Sequence, residues 1–237
     1  MSESTKLEIV YGCDSGRAEE LELSIKTVLK YNPDAHITVL STTPLELSKG
    51  VSNIVLDLTP YGLPSAGRMG VATWLRLFIP KVMPTVDKVI YVDTDTVCQN
   101  SLKELWETPI SYIGACPATS HSLMFVHELG IPFWFQAGVL VLNLKALREL
   151  DFTELGLFAA KHFLYPIYMC RFLDETLINV CFYNYIQELP LKWNLLVDRD
   201  YKYLYPKDIP TIDTACILHY AGCRPKELAE RVALVLQ

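Results

Sequence analysis

The feature that most constrains this chain is an alternation in its first third, where short β-branched runs are separated by a strongly amphipathic stretch. Leu7 to Gly12 is a compact apolar run, followed by a polar turn (Asp14, Ser15, Gly16) and then by Ala18 to Tyr31. Within that stretch Leu21, Ile25, Val28 and Leu29 recur at helical spacing, while Glu19, Glu20, Glu22, Lys26 and Lys30 fall elsewhere. Asn32-Pro33-Asp34 stops the helix, and His36 to Leu40 and Asn53 to Leu58 read as the next two strands. Strand, helix and strand in that order imply an α/β chain whose mainly parallel sheet is covered by helices on both faces.

The pattern continues less regularly. Gly62, Pro64, Gly67 and Gly70 mark a loop that ends in a helical segment, Ala72 to Ile79, broken by Pro80. Lys88 to Val92 reads as a buried strand, Leu102 to Trp106 as a short helix and Tyr112 to Cys116 as a strand, with an irregular loop to about Phe133. Gly138 to Leu144 is a very apolar strand leading into a helix. Residues 152–183 read as mostly helical, broken near Pro166, with Asp174 starting the second helix. Ile186 to Leu189 and Ala215 to His219 are the last strands. No repeat or linker-like stretch interrupts the chain, so residues 1–237 read as a single domain.

Composition narrows the partners. Lys plus Arg (21) against Asp plus Glu (27) gives a formal charge of −6, and 51% of residues are apolar or aromatic. Such a chain can bury a large core, which excludes disorder. Its acidity argues against a general nucleic-acid or anionic-membrane binder, because both rely on a basic face. Phosphate, if bound, must be handled locally, by a metal or by one or two basic side chains. The 7 cysteines are never closer than seven residues, so no C-x-x-C pair is present, and no N-x-Ser/Thr acceptor occurs. The odd cysteine count and the missing acceptor lean toward a reducing, cytoplasmic setting. The start, MSESTKLEIV, lacks a signal-peptide pattern, and the charge-free stretches 108–127 and 129–144 are interrupted by prolines, so no transmembrane segment is expected.

The usual dinucleotide, P-loop, serine-hydrolase and zinc-protease motifs do not occur. What remains is Val89-Ile90-Tyr91-Val92-Asp93-Thr94-Asp95. Two carboxylates one residue apart, directly after a buried strand, emerge at the carboxyl edge of the sheet, where ligands of open α/β sheets bind. Held in a tight turn they make a hard-oxygen site for Mg²⁺ or Mn²⁺, the natural bridge to a diphosphate. The competing reading is an ordinary exposed turn. His219 also leaves a strand, and an imidazole beside two carboxylates suits Mn²⁺ better than Mg²⁺. Read alone, it is equally a hydrogen-bonded structural histidine. Gly222 permits close backbone approach, and Arg224 and Lys226 supply cations suited to phosphate or simply begin a solvated helix.

With these residues in hand, the chain resembles the retaining glycosyltransferases of family 8, the group that includes bacterial lipopolysaccharide galactosyltransferases and glycogenin. The likeness runs from Leu7 to about Lys226 through several ordered motifs. These are Ile9-Val10-Tyr11 through Asp14, Trp74-Leu75-Arg76-Leu77, Val89 to Asp95 with Leu102 to Trp106, and Phe135-Gln136-Ala137-Gly138-Val139 with Asn143. Asp174-Glu175-Thr176-Leu177-Ile178-Asn179, Leu189-Pro190-Leu191-Lys192-Trp193-Asn194 and His219-Tyr220-Ala221-Gly222 complete the series.

The resemblance implies a GT-A fold, with residues 6–115 forming a nucleotide-binding half and residues 116–226 a half for the donor sugar and acceptor. It also implies a UDP-hexose donor and a Mn²⁺ ion, with Mg²⁺ as an alternative, on Asp93, Asp95 and His219. By the same carry-over, Tyr11 and Asp14 lie at the base, and Arg76, Thr94, Gly222, Arg224 and Lys226 belong to the nucleotide site. Gln136, Ala137 and Gly138 line the sugar pocket with Arg76, and Asp174 and Glu175 are the catalytic candidates. The implied reaction moves glucose or galactose to a carbohydrate, glycolipid or protein acceptor. A nucleotide-sugar hydrolase and a non-catalytic nucleotide-sugar-binding protein are the alternatives, and a dimer is compatible with the sequence.

Two departures from the family pattern stand out. The family commonly has Asp-Gln where this chain has Asp174-Glu175, so a carboxylate stands where a double displacement would place its nucleophile. A front-face reaction, in which the leaving phosphate deprotonates the acceptor, is the other route. The family's closing glycine, two residues and Lys-Pro-Trp become Gly222-Cys223-Arg224-Pro225-Lys226, leaving Arg224 or Lys226 as the phosphate contact. The aromatic cluster Phe133-Trp134-Phe135 reads as packing or pocket wall. Tyr201, Tyr203 and Tyr205 read either as a stretch that an acceptor approaches or as an ordinary amphipathic surface.

Overall fold

The computed structural model describes residues 6–65, 70–118, 123–164, 172–197, 209–222 and 225–237. Strand β1 (Glu8–Cys13), helix α1 (Ala18–Tyr31), β2 (His36–Ser41) and β3 (Val51–Val55) follow the expected succession. After a 3₁₀ turn at Val71–Trp74 come α2 (Leu75–Val82), β4 (Lys88–Val92), β5 (Thr96–Cys98), α3 (Lys103–Glu107) and β6 (Ile113–Pro117). Then α4 (Leu123–Leu129), β7 (Phe135–Asn143), α5 (Leu144–Glu149), α6 (Phe152–Ala159) and α7 (Leu173–Cys181) precede β8 (Ile186–Glu188), β9 (Leu195–Leu196), β10 (Ile217–His219) and α8 (Pro225–Leu236).

The main sheet has the order β3-β2-β1-β4-β7-β6-β8. Pairing is parallel from β3 through β4, β7 runs antiparallel to both of its neighbours, and β8 returns parallel to β6. The strand alternation sorts side chains between two cores. Ile9, Tyr11, Ile90, Val92, Val139 and Val141 face one side, packed with Leu21, Ile25 and Val28 of α1. Val10, Val89, Tyr91, Leu140 and Leu142 face the other, packed against Leu75, Phe78, Leu147, Phe152 and Leu177 of α2 and α5–α7. The mainly parallel sheet covered by helices on both faces is thus the observed architecture.

A second sheet, β5-β10-β9, has its own small core with Leu228, Val232 and Val235 of α8. Its strands are only three, three and two residues long, too short for a periodicity to show in the sequence. It nevertheless brings His219 opposite Thr96, directly beside the turn that follows β4.

Three expectations change. Helix α2 continues two residues beyond Pro80. A proline removes one donor and crowds the carbonyl four residues back, and this one lies in the last turn, so the helix ends shortly after it. β3 starts at Val51, where it pairs with Ile37, rather than at Asn53. The expected loop up to Phe133 contains α4, whose seven residues, apolar until His127 and Glu128, are too few for a helical period to show. The break at Pro166 and the residues Gly67, Tyr201, Tyr203, Tyr205 and Arg224 lie outside the described residues.

Candidate functional site

The strand order places the site. From β1 the chain steps to β2 and β3 on one side, while β4 joins β1 on the other, so the carboxyl edge between β1 and β4 is a switch point where open sheets receive ligands. Asp14 follows β1, Asp93 follows β4, and Gln136-Ala137-Gly138 opens the antiparallel β7 at the same edge. The Asp93 N–H donates to the Gly138 carbonyl at 2.8 Å.

Asp93, Asp95 and His219 converge there, with their ligand-type atoms all within 4.8 Å of one another. His219 Nε2 lies 3.1 Å from Asp95 Oδ1 and 3.9 Å from Asp93 Oδ2. The turn is held from behind: Thr96 Oγ1 donates to the Asp93 carbonyl at 2.9 Å, and the Tyr220 N–H donates to the Asp95 carbonyl at 2.8 Å. Burial would lower the His219 pKa, but the charge and hydrogen bond of Asp95 outweigh it and raise it. Burial pushes the Asp95 carboxyl up, and His219 with Arg17 pulls it below its ordinary value.

Gly138 completes the cradle. A Cβ there would lie 2.2 Å from His219 Cε1 and 3.1 Å from Asp93 Oδ2, so only glycine leaves the ring in place. Two carboxylates and one imidazole form a donor set suited to a divalent cation of hard to intermediate character, and the residues fit such an ion.

Arg76, 6% exposed, is the hub of the adjoining region. Its Nη2 donates to Asp93 Oδ1 at 2.9 Å, its Nε lies 2.7 Å from Asp174 Oδ2, and its Nη1 donates to the Ala137 carbonyl. The guanidinium carbon sits 4.5 Å from the centre of the Tyr91 ring, whose hydroxyl donates to Asp93 Oδ1 at 2.7 Å. Although desolvation opposes it, the charges of Asp174 and Asp93 hold Arg76 firmly protonated.

Asp174 and Glu175 open α7. The Asp174 carboxylate also accepts from the Thr73 hydroxyl, and burial lifts its pKa to about 6 against the pull of Arg76. Glu175 accepts from Trp134 Nε1 at 2.7 Å and from the Ala137 N–H at 3.0 Å. Burial pushes it up to about 7, opposed by those two donors. Asn179 locks the helix to β7 through reciprocal hydrogen bonds with the Phe135 backbone at 2.7 and 2.8 Å.

The remaining expected residues divide. Ala137 and Gly138 line the junction of the two groups, and Gln136 is half-buried beside them. Asp14 caps a 3₁₀ turn, accepting from the Gly16 N–H at 3.0 Å, with Gly70 adjacent to its other oxygen. Thr94 is buried between the two aspartates, and Gly222 takes a left-handed φ of 97° just past His219. Tyr11 does not join the group: it is 0% exposed and its hydroxyl meets Ser24 Oγ at 3.1 Å on the α1 side. Alternation along β1 dictates this, because Tyr11 shares a face with Ile9 and Cys13. Lys226 points outward from α8 with its side chain 86% exposed, 4.0 Å from Glu230.

Sequence reasoning overlooked Thr73, Tyr91 and the hydrogen-bonding role of Trp134, because each stands in an apolar run that reads as core. For Tyr91 a signal existed. It lies two residues before Asp93 on an extended strand, which sends both side chains to one face.

The profile of glycosyl transferase family 8 matches residues 8–226. Among solved structures, the galactosyltransferase LgtC in complex with donor and acceptor sugar analogues superposes with a TM-score of 0.80 at 22% identity, covering 97% of this chain and 95% of that one. The glycosyltransferase GlyE of Streptococcus pneumoniae TIGR4 superposes with a TM-score of 0.72 at 20% identity, covering 98% and 62% of the two chains. In sequence, the glycosyltransferase GlyB of the same organism is 23% identical over 243 residues, or 93% of this chain and 57% of its own length. The chain thus spans little more than half the length of GlyB and GlyE. No helix among the described residues is long and apolar enough to cross a membrane. The fold is that of LgtC, a GT-A glycosyltransferase fold in one domain, and the profile runs from β1 to the start of α8. The chain belongs to glycosyl transferase family 8.

Proposed function

We propose that this chain is a Mn²⁺-dependent, retaining hexosyltransferase that moves glucose or galactose from a UDP-sugar to a hydroxyl of a carbohydrate, glycolipid or protein. The observation that carries the reading is the convergence of Asp93, Asp95 and His219 at the β1/β4 edge, tied through Arg76 to Asp174. A family member with LgtC-like architecture supports the donor class. A cation held by that triad supplies positive charge for the departing diphosphate. The described cysteines are all free thiols, which supports a reducing compartment.

The chain's own residues take the other parts. Asp14 takes the uracil in this reading, and its hydrogen bond from the Gly16 N–H supports a fixed carboxylate there. Gly222 lets the backbone approach the nucleotide, and Arg224 is the preferred phosphate contact because Lys226 faces outward. Gln136, Ala137 and Gly138 form the sugar wall. Asp174, fixed by Arg76 and Thr73, accepts hydrogen bonds from sugar hydroxyls.

Glu175 favours the front-face route. Both of its oxygens already accept hydrogen bonds, and burial leaves it partly protonated near neutral pH, so it is a weakened nucleophile. In that route the bond from the anomeric carbon to the phosphate oxygen breaks as the acceptor oxygen bonds on the same face. The acceptor proton passes to the leaving phosphate.

A screen of UDP-glucose, UDP-galactose and related donors tests the reading. At least one donor is expected to raise the melting temperature only with Mn²⁺ and to release UDP when an acceptor is supplied. A protein unresponsive to every donor overturns it, and release of free sugar regardless of acceptor assigns hydrolysis instead.

A further inference from the structure

We propose that Asn194 is a positioning residue of the cation site, fixing the rotation and tautomer of His219. The inference rests on the reading of Asp93, Asp95 and His219 as that site. Asn194 ends the 3₁₀ turn Leu191–Trp193 and immediately precedes β9, which pairs with β10 so that Leu196 lies opposite His219. Its backbone is anchored by an N–H donated to the Leu191 carbonyl at 3.1 Å, and the residue is 0% exposed. Its Oδ1 stands 3.0 Å from His219 Nδ1.

An amide oxygen in that place accepts from Nδ1–H, which keeps a proton on Nδ1 and turns Nε2 toward the two carboxylates; without a cation Nε2–H donates to Asp95, and a bound cation would take that proton's place. On its other side the ring abuts Gly138, where any Cβ would strike Cε1 and Nδ1. At its Nδ1 edge the imidazole is therefore clamped between a backbone that leaves room for nothing larger and the hydrogen bond to Asn194.

The amide's other end supports the assignment. Asn194 Nδ2 is buried with no hydrogen-bond partner among the described residues, so the side chain carries an unmet donor in the interior. An apolar side chain of similar size avoids that cost. What Asn194 alone provides is the oxygen on His219. Its sequence neighbours Trp193 and Leu195 both lie in apolar cores, and the contact with His219 is the hydrogen bond seen for its side chain among the described residues.

The test compares Asn194→Leu with Asn194→Asp in the full chain. Mn²⁺ affinity is read by electron paramagnetic resonance without nucleotide, melting temperature by calorimetry, and the His219 ring nitrogens of the metal-free protein by long-range ¹H–¹⁵N spectra. Asn194→Leu is expected to weaken Mn²⁺ binding by about ten- to a hundredfold, the range typical of lost outer-shell partners. It is expected to stay folded, because relief of the unmet Asn194 Nδ2 offsets the loss of a partner at His219 Nδ1, and to lose the protonated Nδ1 signal. Asn194→Asp, which keeps an acceptor, should bind Mn²⁺ within about threefold of the wild type. Wild-type Mn²⁺ affinity in a folded Asn194→Leu protein, or equal losses in both variants, overturns the proposal. If the wild type binds no Mn²⁺, the cation reading fails on its own. The ring spectra still decide, because an unchanged Nδ1 signal in Asn194→Leu refutes the role of Asn194.

Discussion

Two carboxylate pairs face each other across this site, and they are treated in opposite ways. Asp93 and Asp95 sit in a turn whose backbone is fixed by Thr96, Tyr220 and Gly138, with a histidine as their third neighbour. Asp174 and Glu175 open a helix, and every oxygen for which a contact is seen meets a protein donor: Arg76, Thr73, Trp134 or the Ala137 N–H. The first pair is arranged for a charge from outside, and the second is already balanced from within. The same residue types thus serve different ends: Asp93 and Asp95, although Arg76, Tyr91 and Arg17 also approach them, converge with His219 on a common point, whereas the contacts seen for Asp174 and Glu175 are all protein donors. Arg76 links them, with a hydrogen bond to Asp93 and an ion pair to Asp174.

The largest expected effect comes from removing that link. Arg76→Met leaves Asp174 buried without its cation, and loss of one partner from a buried ion pair typically costs about 3–5 kcal/mol. Chemical denaturation should show it, and a loss below about 1 kcal/mol would mean that Asp174 is not held charged by Arg76. Gly138→Ala comes next. The added methyl must displace the His219 ring, so Mn²⁺ affinity should fall by about ten- to a hundredfold, measured by titration. The second pair should hardly notice, with the Trp134–Glu175 contact intact by tryptophan fluorescence.

Glu175→Gln probes the balanced pair. The front-face reading predicts retained transfer, within about tenfold of the wild type, whereas a carboxylate nucleophile predicts a loss of several orders of magnitude. The same variant reports the pH linkage. The folded carboxyl protonates near 7 against 4.5 for an ordinary glutamate, so between those values the folded state binds more protons than the unfolded. Stability then falls as pH rises through that window. The glutamine carries no titrating proton, so its melting temperature relative to the wild type should climb by roughly a few degrees from pH 5 to 7.

What was legible in the sequence follows from how each residue earns its place. The unit from β1 through α1 to β2 is visible because one buried face imposes a period on neighbouring residues. Asp93, Asp95 and His219 are visible because they are polar residues at the ends of apolar runs, where a strand leaves the sheet. Tyr91, Trp134 and Asn194 are not, since their polar atoms act from within segments whose pattern is that of a core. Tyr11 shows the converse error: motif position assigned it to the nucleotide, while strand alternation turns its ring toward α1. Of the small sheet only β10 is legible, as the apolar run that ends at His219; β5 and β9 escape because they are specified by pairing between distant segments and not by any local period.

The central claim is the division of labour between the two pairs, and Mn²⁺ titration of three proteins tests it most directly. The wild type and Glu175→Gln are predicted to bind one Mn²⁺ with affinities within about threefold of each other, and the double variant Asp93→Asn, Asp95→Asn to show no saturable binding. Mn²⁺ binding that survives in the double variant, or that disappears in Glu175→Gln, contradicts the account.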